Sequence, residues 1–275
     1  MTDVRPRTSR LPVPPNRRRL VAVVAGLVIA VPIVAAHVVA WIETEFALDQ
    51  LARGLHGMAE FIGDAVPPDL SRSVVEQGLQ GCVVTLAIGL LGTTFSIPFS
   101  LLLAFLGART TTRAPLVYQL ARAVMSFFRA VPDIVFALIF VTAVGLGPFA
   151  GVLAIICHNT GVMAKLWSET MEEVDPGAVE PLRTAGASGS QIAAHVVLPS
   201  VVPQFVGLLL YRFDVNVRSS LVLGLVGAGG IGFSINQSIS LFRFDEMLTY
   251  ILMVLVFIIA VDLLSGVVRH RLARP

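Results

Sequence analysis

Residues 77–108, QGLQGCVVTLAIGLLGTTFSIPFSLLLAFLGA, run for 32 positions without Asp, Glu, Lys or Arg. A helix that crosses a bilayer needs about 20 such residues. Inside lipid every backbone N–H and C=O must be satisfied within the segment, so the run reads as a membrane-spanning helix. Toward the N-terminus, Leu20–Ile42 is a second charge-free run, of 23 residues, ending near the interfacial anchor Trp41. Six Arg precede it within the first 19 residues. A secretory signal core is only about 7–15 residues long, so this run reads as a retained span. Between the two, residues 43–77 hold seven acids and two Arg, with Pro67-Pro68 ending any short amphipathic helix before it.

Toward the C-terminus, Gly107–Ala114 is a short loop carrying Arg109 and Arg113. The apolar block that follows, 114–164, is too long for one span, and Gly145-Leu146-Gly147-Pro148 is its natural turn. Span three is therefore expected as one helix over Leu116–Val144, enclosing Arg129 and Asp133. Span four is expected over Phe149–Trp167 and span five over Leu198–Leu223, with Arg212, Asp214 and Arg218 inside it. A glycine-rich loop, Gly224–Gly232, and a polar stretch then lead to span six over Met247–Val268. Lys and Arg in short loops set orientation. With the N-terminus cytoplasmic, 13 basic residues fall inside and three outside, out of 20. Six spans with both termini inside follow, a cytoplasmic tail at 1–19, a first span at 20–42 and an extracytoplasmic segment at 43–75.

Composition agrees. Of 275 residues, 55% are hydrophobic and 14% charged, against about 25% charged in soluble domains. A net charge of +2 gives no preference for nucleic acid. Cys82 and Cys157 lie in apolar runs and read as small buried hydrophobes rather than a disulfide or metal pair. His37, His56, His158, His195 and His270 show no metal-ligand spacing. His158, inside span four, reads either as a packed hydrogen-bonded group or as a polar pathway contact.

Residues 168–197 carry the clearest local signals. Asp175-Pro176 is an N-cap followed by Pro at the first helical position. About two helical turns follow, with Glu180 and Arg183 on one face, and Gly186 supplies a left-handed stop. Ser188-Gly189-Ser190-Gln191 is a capping-box pattern opening a second helix, which Leu198-Pro199 is expected to end. Two short helices meeting at a glycine form either a rigid knob that fits a partner's groove or an amphipathic interfacial hairpin.

Glu180-Pro181-Leu182-Arg183-Thr184-Ala185-Gly186-Ala187-Ser188, with Ile192 and Leu198-Pro199, resembles the Glu-Ala-Ala loop of bacterial ABC importer permeases. Pro181 and Leu182 replace the two alanines of that pattern, and Val196 occupies its Ile position. Arg129-Ala130-Val131-Pro132-Asp133 is similar to the family's Arg-x-x-Pro element. Gly145–Leu153 with His158-Asn159-Thr160-Gly161, and Asp214–Ser219 with Gly224–Gly232, resemble the phosphonate and methionine-type branch, the phosphonate type above all. The likeness covers about residues 76–270. It implies an all-α integral membrane fold: a five-helix type I permease core plus one N-terminal helix, six transmembrane helices in total. It further implies two ATP-binding subunits that carry ATP and Mg, an extracytoplasmic substrate-binding protein, a second permease copy, and residence in the bacterial inner membrane. Glu180, Arg183, Ala185, Gly186, Ser188, Ile192, Leu198 and Pro199 would form the loop that couples to the ATPase.

Other motifs fall away. Gly227-x-Gly229-x-x-Gly232 matches a dinucleotide fingerprint, but that motif needs a strand before it and a βαβ unit around it. Gly227, Gly229, Gly230 and Gly232 read instead as a tight bend near an outer gate. The single lysine, Lys165, stands in Met163-Ala164-Lys165-Leu166 and makes no P-loop. No Ser/His/Asp arrangement points to an intramembrane enzyme. Arg129, Asp133, Arg212, Asp214 and Arg218 would each cost about 2.5–3.5 kcal/mol to insert unpaired. Asp214 and Arg218 can pair four residues apart; Arg212 and Asp214 cannot. Arg212 and Arg129 then need Asp133, a second subunit or substrate. Three Arg against two Asp in spans three and five favour an anion, whereas pairing at a rim would make all five structural. Arginine matches phosphonate or phosphate by bidentate donation; the remaining rivals are a permease for another small solute, methionine-type or metal, and a non-transporting membrane anchor or sensor.

Overall fold

The computed structural model describes residues 17–112 and 114–272. The tail before residue 17, Arg113 and residues 273–275 lie outside the described residues. The chain divides into two compact units, residues 1–60 and 61–275. In the first, α1 (Arg17–Glu43) covers the expected first span. Val21 to Ile42 are exposed on every side of α1, as suits a helix solvated by lipid. Its end carries an edge-on Trp41–Phe46 contact. α2 (Leu48–Ala65) sets Leu55, Met58 and Ile62 on one side, with His56–Glu60 paired four residues apart on another.

The second unit is a helical bundle built on α6 (Pro148–Glu172), which packs against α3 (Arg72–Leu106), α4 (Pro115–Ala130), α5 (Asp133–Val144) and α9 (Leu198–Leu225). More than half of α6's apolar window, 56%, is buried, against 33% for α3 and 17% for α11 (Phe244–Leu272). That makes α6 the centre and leaves the others to face lipid. Small residues permit the close approach. A Cβ on Gly161 would lie 2.7 Å from the Arg129 nitrogen and 2.6 Å from Phe128 Cβ, so α4 crosses α6 with nothing between.

Span three is not one helix. It breaks between α4 and α5 with a bend of 83°. Pro132 has no N–H to continue α4 and drives Val131 into extended backbone, φ −82° and ψ 120°. Both halves still descend α6 in order: Arg122 meets Glu172, Met125 lies beside Ala164, Val131 reaches His158, and Phe136 and Ala137 pack with Ala154 and Ile155. The pair is therefore one broken span and not a re-entrant loop. With it, the described residues hold six candidate crossings, five of them single helices. No strand occurs among the described residues.

One further expectation fails. Leu198-Pro199 does not end the second short helix. α8 (Gly189–Ile192) runs through a π-helical turn, Ala193–Val197, directly into α9. The wider turn, with the Leu198 N–H bonding the Ala193 carbonyl, makes room for a proline that can neither donate nor tolerate a tight preceding carbonyl. The polar stretch before span six forms α10 (Ile231–Ser240), which packs against α3, α9 and α11.

Candidate functional site

Two places concentrate polar residues that the fold would otherwise exclude. The first lies where α3, α6 and α9 meet. Arg212 on α9 is 9% exposed. Its Nε donates to Asn159 Oδ1 on α6 at 2.9 Å, and its Nη2 to Asn216 Oδ1 at 3.2 Å. Arginine offers only donors, so each amide must turn its oxygen to the guanidinium and its NH2 outward. Asn159 Nδ2 then donates to Ser96 Oγ at 2.7 Å, and Asn216 Nδ2 to Thr93 Oγ1 at 2.8 Å, both on α3. Thr93 and Ser96 pass on to the Gly89 and Thr93 carbonyls. The chain of bonds ties three helices together around one cation. Hydrogen bonds to a charged group contribute about 1.5–3 kcal/mol each. Two of them offset an insertion cost of about 2.5–3.5 kcal/mol. Of the three partners open to Arg212 (Asp133, a second subunit or substrate), Asp133 forms no ion pair with it among the described residues; neutral amides hold it.

Arg218, six residues further along α9, is held differently. It reaches Asp214 at 2.5 Å and Asp262 of α11 at 2.6 Å, with its side chain 48% exposed. The Asp214–Arg218 pair matches the sequence expectation. Asp262 was missed because it is one acid in a very apolar run, with no periodic signal pointing it inward. Counting it, three Arg stand against three Asp, so an excess of arginine over these spans does not argue for an anion.

Around the break in span three, His158 Nδ1 meets the Val131 carbonyl at 3.1 Å, and Asp133 Oδ1 accepts from the Ile134 N–H at 2.9 Å. Both residues cap groups that Pro132 frees, and an acid suits the first turn of α5. Among the described residues Arg129 and Asp133 form no ion pair, and Arg129 is exposed.

The second place is the elbow after α6. Asp175 Oδ1 accepts from the Gly177 N–H at 2.9 Å and opens α7 (Pro176–Thr184). Gly186, at φ 84°, ends it with Ala187 N–H to Leu182 O and Gly186 N–H to Arg183 O, both bonds of a Schellman stop. The Ser188–Gln191 capping box is complete in both directions. Val179 and Ile192 are 4% and 1% exposed and pack with Trp167 and Met171 of α6 and Val197, Val201 and Phe205 near the start of α9. The elbow buries its apolar side in protein, which favours a rigid knob over a lipid-facing hairpin. Glu180, Arg183, Ala185, Gly186, Ser188 and Pro199 are exposed, and Leu198 is half-buried. A Cβ on Gly189 would meet the Thr111 carbonyl at 2.5 Å, so the elbow also rests on the 107–114 loop. Glu172 braces that loop by accepting from the Arg109 N–H at 2.9 Å and from Arg122 at 3.0 Å. The Tyr118 hydroxyl, accepting from Arg109, pushes that guanidinium's pKa upward.

At the opposite end of α6, the Gly147 N–H donates to the Gly227 carbonyl at 2.9 Å. Gly227, Gly229 and Gly230 take φ of 94°, 81° and 73°. A Cβ on Gly232 would lie 2.0 Å from the Leu221 carbonyl. The glycines make a tight bend with close backbone approach, between helices and with no strand before it, so the dinucleotide reading falls.

A helical bundle with a broken third span, a capped elbow between two crossings and a buried cation network is what one family of membrane proteins would need. Residues 96–274 match the family described as "Binding-protein-dependent transport system inner membrane component". The chain belongs to this family. It is thus a multi-pass permease of the inner-membrane type, and its fold is that of a type I ABC importer permease. It is similar to the phosphite transport system permease protein PtxC of Stutzerimonas stutzeri, 41% identical over 219 residues, 80% of this chain and 79% of that one. It is also similar to the phosphate-import permease protein PhnE of Mycolicibacterium smegmatis, 37% identical over 241 residues, 88% of this chain and 45% of the relative. Among solved structures, the permease resembles a chain of the inward-facing MetNI methionine ABC transporter, with TM-score 0.64 and 21% identity over 74% of this chain and 100% of that one. It also resembles a chain of a bacterial alginate importer, with TM-score 0.60 and 14% identity over 93% of this chain and 100% of that one. At those identities the likeness is of fold.

Proposed function

We propose that this permease forms the membrane path of an importer for a small phosphorus oxyanion: phosphite, phosphate or a phosphonate. The observation that carries the reading is Arg212, a guanidinium 9% exposed at membrane depth whose hydrogen bonds among the described residues go to amides. An arginine so placed matches a tetrahedral oxyanion by geometry and charge. The relatives' names, at 37–41% identity, point to the same chemistry.

The bias of basic residues puts both termini, the 1–19 tail and the elbow at 168–197 in the cytoplasm, with residues 43–75 and the Gly224–Gly232 bend outside. Two copies of the permease domain, about residues 76–270, would enclose the path. Two ATPase subunits carrying ATP and Mg would grip the elbows, and a binding protein would deliver the anion from outside. The chain itself hydrolyses nothing. Force on the elbow passes to α6 and α9 through Trp167, Met171, Val197 and Val201. Those two helices carry Asn159 and Arg212, so nucleotide-driven movement reaches the cation network. Asp133 and His158 bond the backbone at the break in span three, and Arg129 stands exposed just before it.

The test is ATP hydrolysis by the purified permease–ATPase complex in proteoliposomes, with binding protein and each of phosphite, phosphate, methylphosphonate and methionine. Stimulation by a phosphorus oxyanion is expected. Stimulation by methionine alone, or by none of the four, would refute the reading.

A further inference from the structure

We propose that Asn159 and Asn216 are charge-keeping residues: they position Arg212 through neutral oxygens, so that no bonded carboxylate neutralises it and its charge stays available to a passing oxyanion. The inference rests on the oxyanion reading above and deepens it. Both arginines of this stretch of α9 have a partner four residues away on the same helix. Arg218 has Asp214; Arg212 has Asn216. The second partner comes from a neighbouring helix in each case, Asp262 of α11 for Arg218 and Asn159 of α6 for Arg212. The arrangement is alike, but the partners of Arg218 are anionic and those of Arg212 are neutral. A carboxylate at either amide position would satisfy the guanidinium equally well and would neutralise it. The amides are also fixed in orientation, because Asn159 and Asn216 are 0% and 2% exposed and spend their NH2 groups on Ser96 and Thr93. Two of the five guanidinium N–H groups are used, which leaves the remainder for a bidentate anion. Because the amides sit on α6 and α9 and their hydroxyl partners on α3, movement between those helices would change how firmly Arg212 is held, and with it the affinity for the anion.

The substitutions Asn159→Asp and Asn216→Asp change shape by almost nothing and add one negative charge beside Arg212. They are made in cells where this transport system is the sole route for phosphate, phosphite and methylphosphonate, and uptake of each radiolabelled anion is measured. Each variant is expected to lower uptake about tenfold or more, equivalent to about 1.4 kcal/mol in the barrier. The complex should still assemble, and its melting temperature in detergent should hold or rise, since an ion pair replaces an amide bond. Asn216→Ser, which loses the amide but adds no charge, should lower uptake several-fold less than Asn216→Asp does. A purely structural role predicts the reverse pattern, with stability and uptake falling together and Ser no better than Asp. Wild-type uptake by either Asp variant, or equal loss in Asn216→Ser and Asn216→Asp, overturns the proposal and leaves the oxyanion reading standing. An unaltered chain that moves none of phosphate, phosphite and methylphosphonate overturns that reading, and this proposal with it.

Discussion

Arg212 and Arg218 stand on one helix and share a bonding pattern, yet one is surrounded by amides and the other by carboxylates. Arg218 locks α9 to α11 through Asp262 and shows a half-exposed side chain. Arg212 joins α9 to α6 and indirectly to α3, and is nearly enclosed. Pairing with carboxylates neutralises an intramembrane charge and makes it a strut. Holding it by amides meets its directional needs and leaves its field intact. The difference teaches that charge in a membrane helix is read from its partners, since depth alone marks both residues as special.

The sharpest way to break the comparison is Arg212→Gln. Uptake of phosphate and phosphite should fall about 100-fold or more, equivalent to about 2.7 kcal/mol or more. Gln can still donate to Asn159, so the complex should purify intact. Uptake near the normal rate would remove Arg212 from the path. Arg218→Gln should instead lower stability by about 2 kcal/mol, measured by thermal unfolding in detergent. Breaking a fully buried pair costs about 3–5 kcal/mol, and partial exposure reduces that. If Arg218→Gln leaves stability untouched and removes transport, the two arginines have been assigned the wrong way round.

How much of this could be read from sequence varies with the range of the signal. The elbow was legible in detail, because Asp175, Gly186 and the Ser188–Gln191 box are local and each specifies its own backbone geometry. The Asp214–Arg218 pair was legible for the same reason, being one turn apart. The break at Pro132 was in view as part of Arg129–Asp133, but length and apolarity read as one continuous helix; only the tertiary fit of α4 against Gly161 and of α5 against Ala154 and Ile155 of α6 rewards the bend. The Arg212 partners were hidden. Asn159, Thr93 and Ser96 lie 53 or more positions away, and such polar residues in spans are equally common as packing groups. Arg212 with Asn216 had the right spacing, but a search for charge balance passes over a neutral amide. Asp262 shows the opposite blindness: a lone acid in a long apolar run carries no sign of its partner's helix.

The mildest test sharpens the comparison from the carboxylate side. Asp262→Asn removes one of two negative partners from Arg218 and turns that site partway toward the amide design around Arg212. The Asp214–Arg218 pair remains, with Asp214 almost enclosed and its partner one turn away, so the guanidinium keeps a full counter-charge. Asp262 is 44% exposed, where an ion pair contributes about 0–1 kcal/mol. The amide can also accept the same hydrogen bond. Thermal unfolding should therefore shift by less than about 1 kcal/mol, and anion uptake should not change, since compensation by Asp214 persists. Suppose instead that Asp262→Asn destabilises the bundle as much as Arg218→Gln does. The α9–α11 seam would then depend on both carboxylates together, and Arg218 would be one member of a three-charge lock rather than the residue on which the seam turns.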